Sequence, residues 1–264
     1  MRDEFDRYVR SNSWGSATEF FNWDDMCRVK IPLPPIEVQR AYVDAYKGLT
    51  ALIEENEALL KSLEATAQAC VAECREKWLM VALSGYIQEL NDRNTDEKLK
   101  ADAVRGISTN KEFIDTKADL KGVKLSAYKI VKPENFAFVA DTSRRGDKMS
   151  LAFNGSDDRY LVSSISTVYE ISKRDALLPE YLYLQFKRPE FDRYARFNSW
   201  GSARETFNWD DMCRVKIPLP PIEVQRAIVA LYHCAEEARK IAEEAKAQLA
   251  LVCPAMIQRA SHRF

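Results

Sequence analysis

The chain is poor in the residues that most enzymes rely on. It has two histidines in 264 residues, His233 and His262, and they stand apart. That leaves no histidine-centred triad and no His/Cys set for a metal. Six cysteines (Cys27, Cys70, Cys74, Cys213, Cys234, Cys253) include no Cys-x-x-Cys pair, so neither a zinc site nor a disulfide framework is expected. Eight glycines are too scattered to form a GxxxxGK loop or a dinucleotide fingerprint, and no Asn-Pro-Pro-aromatic methyltransferase signature occurs. The formal net charge of -1 rules out polyanion binding by bulk charge and leaves local basic clusters as the route to nucleic acid. No apolar run nears the roughly 18 residues needed to span a bilayer, and Met1 to Arg7 has no signal core. Reduced cysteines and a cytoplasmic location are the expectation.

What the chain does have is a long internal repeat. Residues 4–43 recur at 190–229, broken only at Val9, Ser11, Thr18, Phe20 and Tyr42. Each copy runs from a charged aromatic lead through Trp-Gly-Ser and Asn-Trp-Asp-Asp-Met-Cys to Ile-Pro-Leu-Pro-Pro-Ile-Glu. A copy this faithful and this distant marks an architecture used twice.

A long helical pattern follows each copy. In the first, Tyr42, Ala45, Leu49, Leu52, Asn56, Leu59, Leu63, Thr66 and Cys70 alternate by three and four, the spacing that holds one seam against a partner helix. This predicts a helix from about Pro35 to Leu83, opened by a proline that gives up no needed donor and stopped at Gly85. In the second, the seam is Ile228, Leu231, Ala235, Ala238, Ala242, Ala245, Leu249, Val252 and Met256. Large residues on one seam and alanines on the other favour close antiparallel pairing. Asn56 among leucines either fixes register or faces solvent. Pro254 predicts a kink or an end.

Between the helices the pattern changes to short β-rich runs. Tyr128–Val131, Phe136–Val139, Met149–Phe153 and Tyr160–Ser163 are separated by turn signals at Pro133-Glu134-Asn135, Arg144-Arg145-Gly146-Asp147 and Asn154-Gly155. The Asn154-Gly155 pair predicts a hairpin. Leu178 to Leu184 reads as a short amphipathic helix carrying Phe186 and Phe191 toward a core. The fold class expected is α+β: one mixed α/β domain with two long helices forming an antiparallel coiled coil.

The order of these pieces, with Pro-Leu-Pro-Pro-Ile-Glu before each helix, resembles the specificity subunit of type I restriction-modification enzymes. The likeness is carried by Asn91-Asp92-Arg93-Asn94, Val104-Arg105-Gly106-Ile107-Ser108, the run from Tyr128 to Phe136, Thr142 to Lys148, Leu178-Pro179-Glu180-Tyr181-Leu182, Gly201-Ser202-Ala203-Arg204 and Ile217 to Arg226. The resemblance implies a DNA-reading subunit without chemistry of its own. In that family each target recognition domain reads half of a split sequence, and the helices form a spacer that docks modification subunits. It implies as partners double-stranded DNA, a methyltransferase subunit, a possible restriction subunit, and a second copy or complementing fragment. No cofactor is expected on this chain, since S-adenosylmethionine, ATP and Mg would belong to partner subunits. The organisation implied is a remnant of a first recognition domain (1–35), a spacer helix (36–84), an intact recognition domain (85–221) and a second spacer helix (222–264). About a hundred residues equivalent to Tyr86 through Pro189 would be missing before Asp3.

Specific DNA binding needs phosphate contacts for register and a few groups at base edges. Ser143, Arg144, Arg145, Gly146 and Lys148 place three cations around a turn, where the alternative is a solvated turn paired with Asp141 and Asp147. Arg193, Arg196, Asn198, Ser199, Gly201, Ser202 and Arg204 form a second candidate set, with Trp200 expected in the core. Lys187 and Arg188 are phosphate candidates. The helix-pairing set is Leu49, Leu52, Asn56, Leu59 and Leu63 against Ala235, Ala238, Ala242, Ala245 and Leu249. Asp210 and Asp211 are adjacent and fit a helix cap better than a catalytic pair. The rival readings are a non-functional truncated fragment or recombination cassette, whose first copy would expose Trp14, Phe20, Phe21 and Trp23, and a helical protein-interaction scaffold.

Overall fold

The structure is a computed structural model that describes residues 3–13, 20–30, 33–116, 118–142, 148–201 and 205–261; for 3, 4, 253 and 255–261 only the backbone is described. Helices α1 (Asp3–Ser11) and α2 (Trp23–Cys27) precede the long helix α3 (Ile36–Lys77). Strands β1 (Met80–Ala82), β2 (Ile87–Leu90), β3 (Arg105–Ile107), β4 (Phe113–Asp115), β5 (Lys129–Val131), β6 (Phe136–Val139), β7 (Leu151–Phe153), β8 (Tyr160–Val162) and β9 (Ser166–Ile171) follow. Helices α4 (Pro179–Phe186), α5 (Pro189–Phe197) and α6 (Trp209–Arg214), strand β10 (Lys216–Pro218) and the long helix α7 (Ile222–Ser261) complete the chain. Two compact units divide it: Met1–Ala58 with Arg239–Phe264, and Leu59–Ala238. Among the described residues, no helix is long and apolar enough to cross a membrane.

In the second unit the central sheet has the order β2-β9-β6-β7, all antiparallel. Strand alternation sends successive side chains to opposite faces, and here both faces are covered. Phe136, Phe138, Leu151, Tyr169 and Ile171 join the larger core with Tyr181, Phe186, Phe191, Phe207 and Met212 from the helical layer. Ala137, Ala152 and Val168 join a smaller core with Ile107, Val131 and Val162, on the side of the β3–β4 and β5–β8 pairs. Phe136 lies opposite Tyr169 in the register, and their rings stack at 5.1 Å. The end of α3 and the start of α7 enter the same larger core through Val71, Cys74, Ile228 and Val229. In the first unit, Glu57 of α3 pairs with Lys246 of α7. Ala235, Ala238, Ala242 and Ala245 are buried along α7, with Leu249 half-buried.

Several expectations need correction. On α3, Leu49, Asn56 and Leu63 are half-buried, but Leu52 and Leu59 are exposed. Ile53 and Leu60 lie inward in their place. Adjacent apolar pairs, Leu52-Ile53 and Leu59-Leu60, satisfy three-residue and four-residue steps equally well, so spacing alone does not choose between them. The Asn56 amide donates to Leu52 O at 2.8 Å, back onto its own helix. Helix α3 ends at Lys77, not near Leu83, because Met80–Ala82 pairs antiparallel with Lys216–Pro218. The Asn154-Gly155 turn forms no hairpin: β7 pairs with β6 and β8 with β5. Asn154 is buried, donates to Asp158 O and accepts from Ser156, which turns the chain away. Helix α7 does not end at Pro254, which is exposed, but continues to Ser261.

The repeat gives one local structure in two settings. Asn22 and Asn208 each form a capping box with the aspartate three residues on, Asp25 and Asp211, so the paired carboxylates cap helices. Phe21 meets Phe5 and Tyr8 edge-on at 6.4 and 6.2 Å; Phe207 meets Phe191 and Tyr194 edge-on at 6.3 Å each. The surroundings differ. Trp209 packs on Tyr169 at 5.5 Å and Met212 is fully buried, whereas Trp23 is 76% and Met26 43% exposed. Phe20 is exposed as well, Phe21 is half-buried between its two rings, and Trp14 lies outside the described residues. Met212→Ala is therefore expected to destabilise by about 2–5 kcal/mol and Met26→Ala by less than about 0.5 kcal/mol, as read by urea unfolding of each variant.

Candidate nucleic-acid interface

Strands β3 and β4 are joined by a tight turn in which Ser108 and Glu112 pair through Ser108 N–H and Glu112 O at 3.0 Å. Lys111 in this turn has φ of 68°, a left-handed conformation unfavourable for a side chain with Cβ. Its side chain holds it there. The Lys111 ammonium, 4% exposed, donates to Met149 O at 2.8 Å and pairs with Asp192 of α5. Asp192 also accepts from Met149 N–H at 3.0 Å, and Tyr183 Oη donates to Lys111 O at 2.9 Å. Four segments meet on one lysine: the β3–β4 turn, the lead into β7, α4 and α5. Burial pushes the Lys111 pKa down, opposed by Asp192 and assisted by the nearby Lys148. Burial likewise pushes the Tyr183 phenol up to about 12, so it remains a donor at neutral pH.

Beside this clamp is a cavity of about 360 Å³ lined by Thr109, Asn110, Lys148, Lys187, Pro189, Asp192 and Arg193. Three cations expected from sequence to touch DNA thus surround one opening. Lys187 is steered by aromatic faces, 5.4 Å from the Tyr183 ring centre and 4.9 Å from that of Tyr232, and it donates to Tyr232 Oη. Cation–π contact of this kind fixes a lysine without neutralising it. Arg193 is exposed and lies 3.6 Å from Glu190. Thr109 and Asn110 were not singled out from sequence; their signal was the Ser-Thr-Asn-Lys turn between two short strands.

The other expected contacts lie elsewhere. Arg188 lines a different cavity. Arg196 pairs with Glu205. Asn198 Nδ2 donates to Tyr194 O at 2.8 Å, and the buried Ser199 donates to Ala195 O at 2.6 Å. Asn12 and Ser13 make the same two bonds in the first copy, so both residues close the preceding helix. Trp200, expected in the core, is 68% exposed. Its backbone pairs with Thr206 on both sides, and alternation then gives the inward places to Ser199 and Phe207. Gly201 has φ of 149°. Ser143, Arg144, Arg145, Gly146, Ser202 and Arg204 lie outside the described residues. A second basic hollow, unforeseen from sequence, gathers Lys98, Lys100, Arg105 and Arg159 with Asp102 and Asp158. Among the described residues, no group of three or more His, Cys, Asp or Glu side chains could hold a metal ion.

No protein-family model and no curated protein matches the chain. Solved structures do. The S subunit of a type I restriction-modification system from M. genitalium aligns at 12% identity and a TM-score of 0.50, over 97% of this chain and 72% of that one. The HsdS subunit from Thermoanaerobacter tengcongensis aligns at 17% identity and a TM-score of 0.44, over 96% and 67%. A chain from a structural study of complex assembly and conformational transition in the type I R-M system aligns at 18% and 0.43, over 98% and 68%. The fold is α+β with paired long helices, and it is shared with the M. genitalium S subunit.

Removing one partner of the Lys111–Asp192 pair leaves a buried charge alone, which costs about 3–5 kcal/mol. Asp192→Ala should lose that much stability in chemical denaturation. Lys148→Met, at an exposed site, should change stability by less than about 0.5 kcal/mol.

Proposed function

We propose that the chain is a sequence-specific DNA-recognition subunit of a type I restriction-modification system. Its second unit reads one half-site, and its helices dock methyltransferase subunits. The observation that carries this reading is the basic cavity at the β3–β4 turn and α5, set in a fold shared with the M. genitalium S subunit. Lys148, Lys187 and Arg193 are phosphate contacts that set register, and Thr109 and Asn110 are polar groups small enough to stand beside them. The subunit carries no catalysis of its own. S-adenosylmethionine, ATP and Mg belong to its partners, and the cytoplasm is its place of work.

Supporting the docking role, α3 leaves Val43, Tyr46 and Leu52 exposed in the first unit. The apolar face of the first repeat copy fits a further recognition-domain sheet, because the same face of the second copy is covered by Tyr169 and its neighbours. A second copy of the chain or another polypeptide supplies it.

Binding to duplex DNA should weaken steeply as salt rises. Each of Lys148→Met, Lys187→Met and Arg193→Met should weaken all sequences alike and reduce the salt slope by about one. Fluorescence anisotropy across a salt series tests this; a chain that binds no duplex at low salt, or three variants with unaltered slopes, would contradict the reading.

A further inference from the structure

Two large aromatic side chains of the second unit stand in solvent. Phe197, the last residue of α5, is 79% exposed, and Trp200, just beyond the helix, is 68% exposed, although rings of this size dominate the energetics of a core when buried. Closing the helix does not require Phe197. The first repeat copy has Ser11 in its place, yet Asn12 and Ser13 close α1 with the same two bonds that Asn198 and Ser199 make on α5. At Trp200 the chain is held by its backbone, which exchanges hydrogen bonds with Thr206 at 3.2 and 3.0 Å. The indole therefore projects from a fixed main chain.

These rings end a stripe that begins at the basic cavity. Between 187 and 200 the exposed residues are Lys187, Pro189, Arg193, Arg196, Phe197 and Trp200, and the first three line that cavity with Lys148. Arg196 is paired with Glu205. Phe197 lies about 40° around α5 from Arg193 and about 6 Å further along its axis. Base steps rise by about 3.4 Å, so a phosphate held at Arg193 brings Phe197 within about two steps of it. Apolar side chains so placed enter the minor groove between base steps, part the stack and kink the duplex.

We infer that Phe197 and Trp200 form an aromatic wedge that enters the minor groove of duplex DNA and parts a base step beside the phosphates held at the basic cavity. The inference rests on the DNA-recognition reading above and adds to it a contact outside the cavity. Pyrimidine–purine steps such as TA and CA unstack most readily. The wedge favours them, and so contributes to sequence choice without a hydrogen bond to a base edge.

Closed circular plasmid, relaxed by a topoisomerase in the presence of the full chain, offers every kind of base step at once. Parting a step unwinds the duplex, so the deproteinised plasmid should carry a lower linking number as protein is added. Phe197→Ser and Trp200→Ala, both at exposed sites, should keep the unfolding midpoint. Each should lose the linking-number shift and bind a short mixed-sequence duplex about fivefold or more weakly, the contribution of one ring stacked on a base. Their salt slopes should match that of the unaltered chain because no charge is removed, whereas Arg193→Met lowers the slope by about one. Loss in one variant alone assigns the wedge to that ring. Duplex binding by the unaltered chain without a linking-number shift would overturn the inference and leave the DNA-recognition reading standing. So would undiminished shift and affinity in both variants, which would make the pair a protein contact. Absence of duplex binding at low salt would overturn both.

Discussion

The Lys111 ammonium sits where a positive charge is least comfortable, buried between a carbonyl and a single carboxylate. Its pairing with Asp192 holds the β3–β4 turn in a left-handed conformation, ties that turn to α5, and fixes the start of β7 through Met149. Without it, Thr109 and Asn110 would have no fixed relation to Lys187 and Arg193. A buried ion pair adds little net stability over apolar packing, yet it is costly to break. It therefore acts as a positioning device. The buried lysine takes Asp192, while the exposed Arg193 beside it shares Glu190 with Arg188.

The repeat separates what is local from what is tertiary. Capping boxes, helix closure by Asn-Ser and edge-on aromatic contacts recur in both copies, so they follow from sequence neighbours alone. The burial of Met212 and the half-burial of Trp209 do not recur at Met26 and Trp23, so they depend on the sheet beneath. Two of the five differences between copies follow this: Ile228 is buried in the larger core where its counterpart Tyr42 is only half-buried, and Ala195 is buried where Val9 is half-buried.

Much of the architecture was legible from periodicity: two long helices, the strand Phe136–Val139 to the residue, and the proline-opened helix Pro179–Phe186. The alanine seam was legible too, since only one face of α7 carries it. Register on α3 was not, because Leu52-Ile53 and Leu59-Leu60 offer two equivalent stripes. The end of α3 was hidden by the helix-compatible run Trp78 to Leu83, which long-range pairing with Lys216–Pro218 draws into a strand. For the candidate interface, sequence clusters and the family resemblance offered Lys148, Lys187 and Arg193 in three separate sets. Their convergence depends on Lys111, which reads as one more surface lysine until Asp192, 81 positions later, is brought to it.

Hydrogen exchange of the full chain with and without saturating duplex DNA tests the central claim most directly. Added protection should appear together at residues 108–112, around 148–150 and at 187–193, the three segments joined by the Lys111 clamp. Protection absent from these segments while DNA is bound would contradict the assignment of this cavity as the DNA-reading surface.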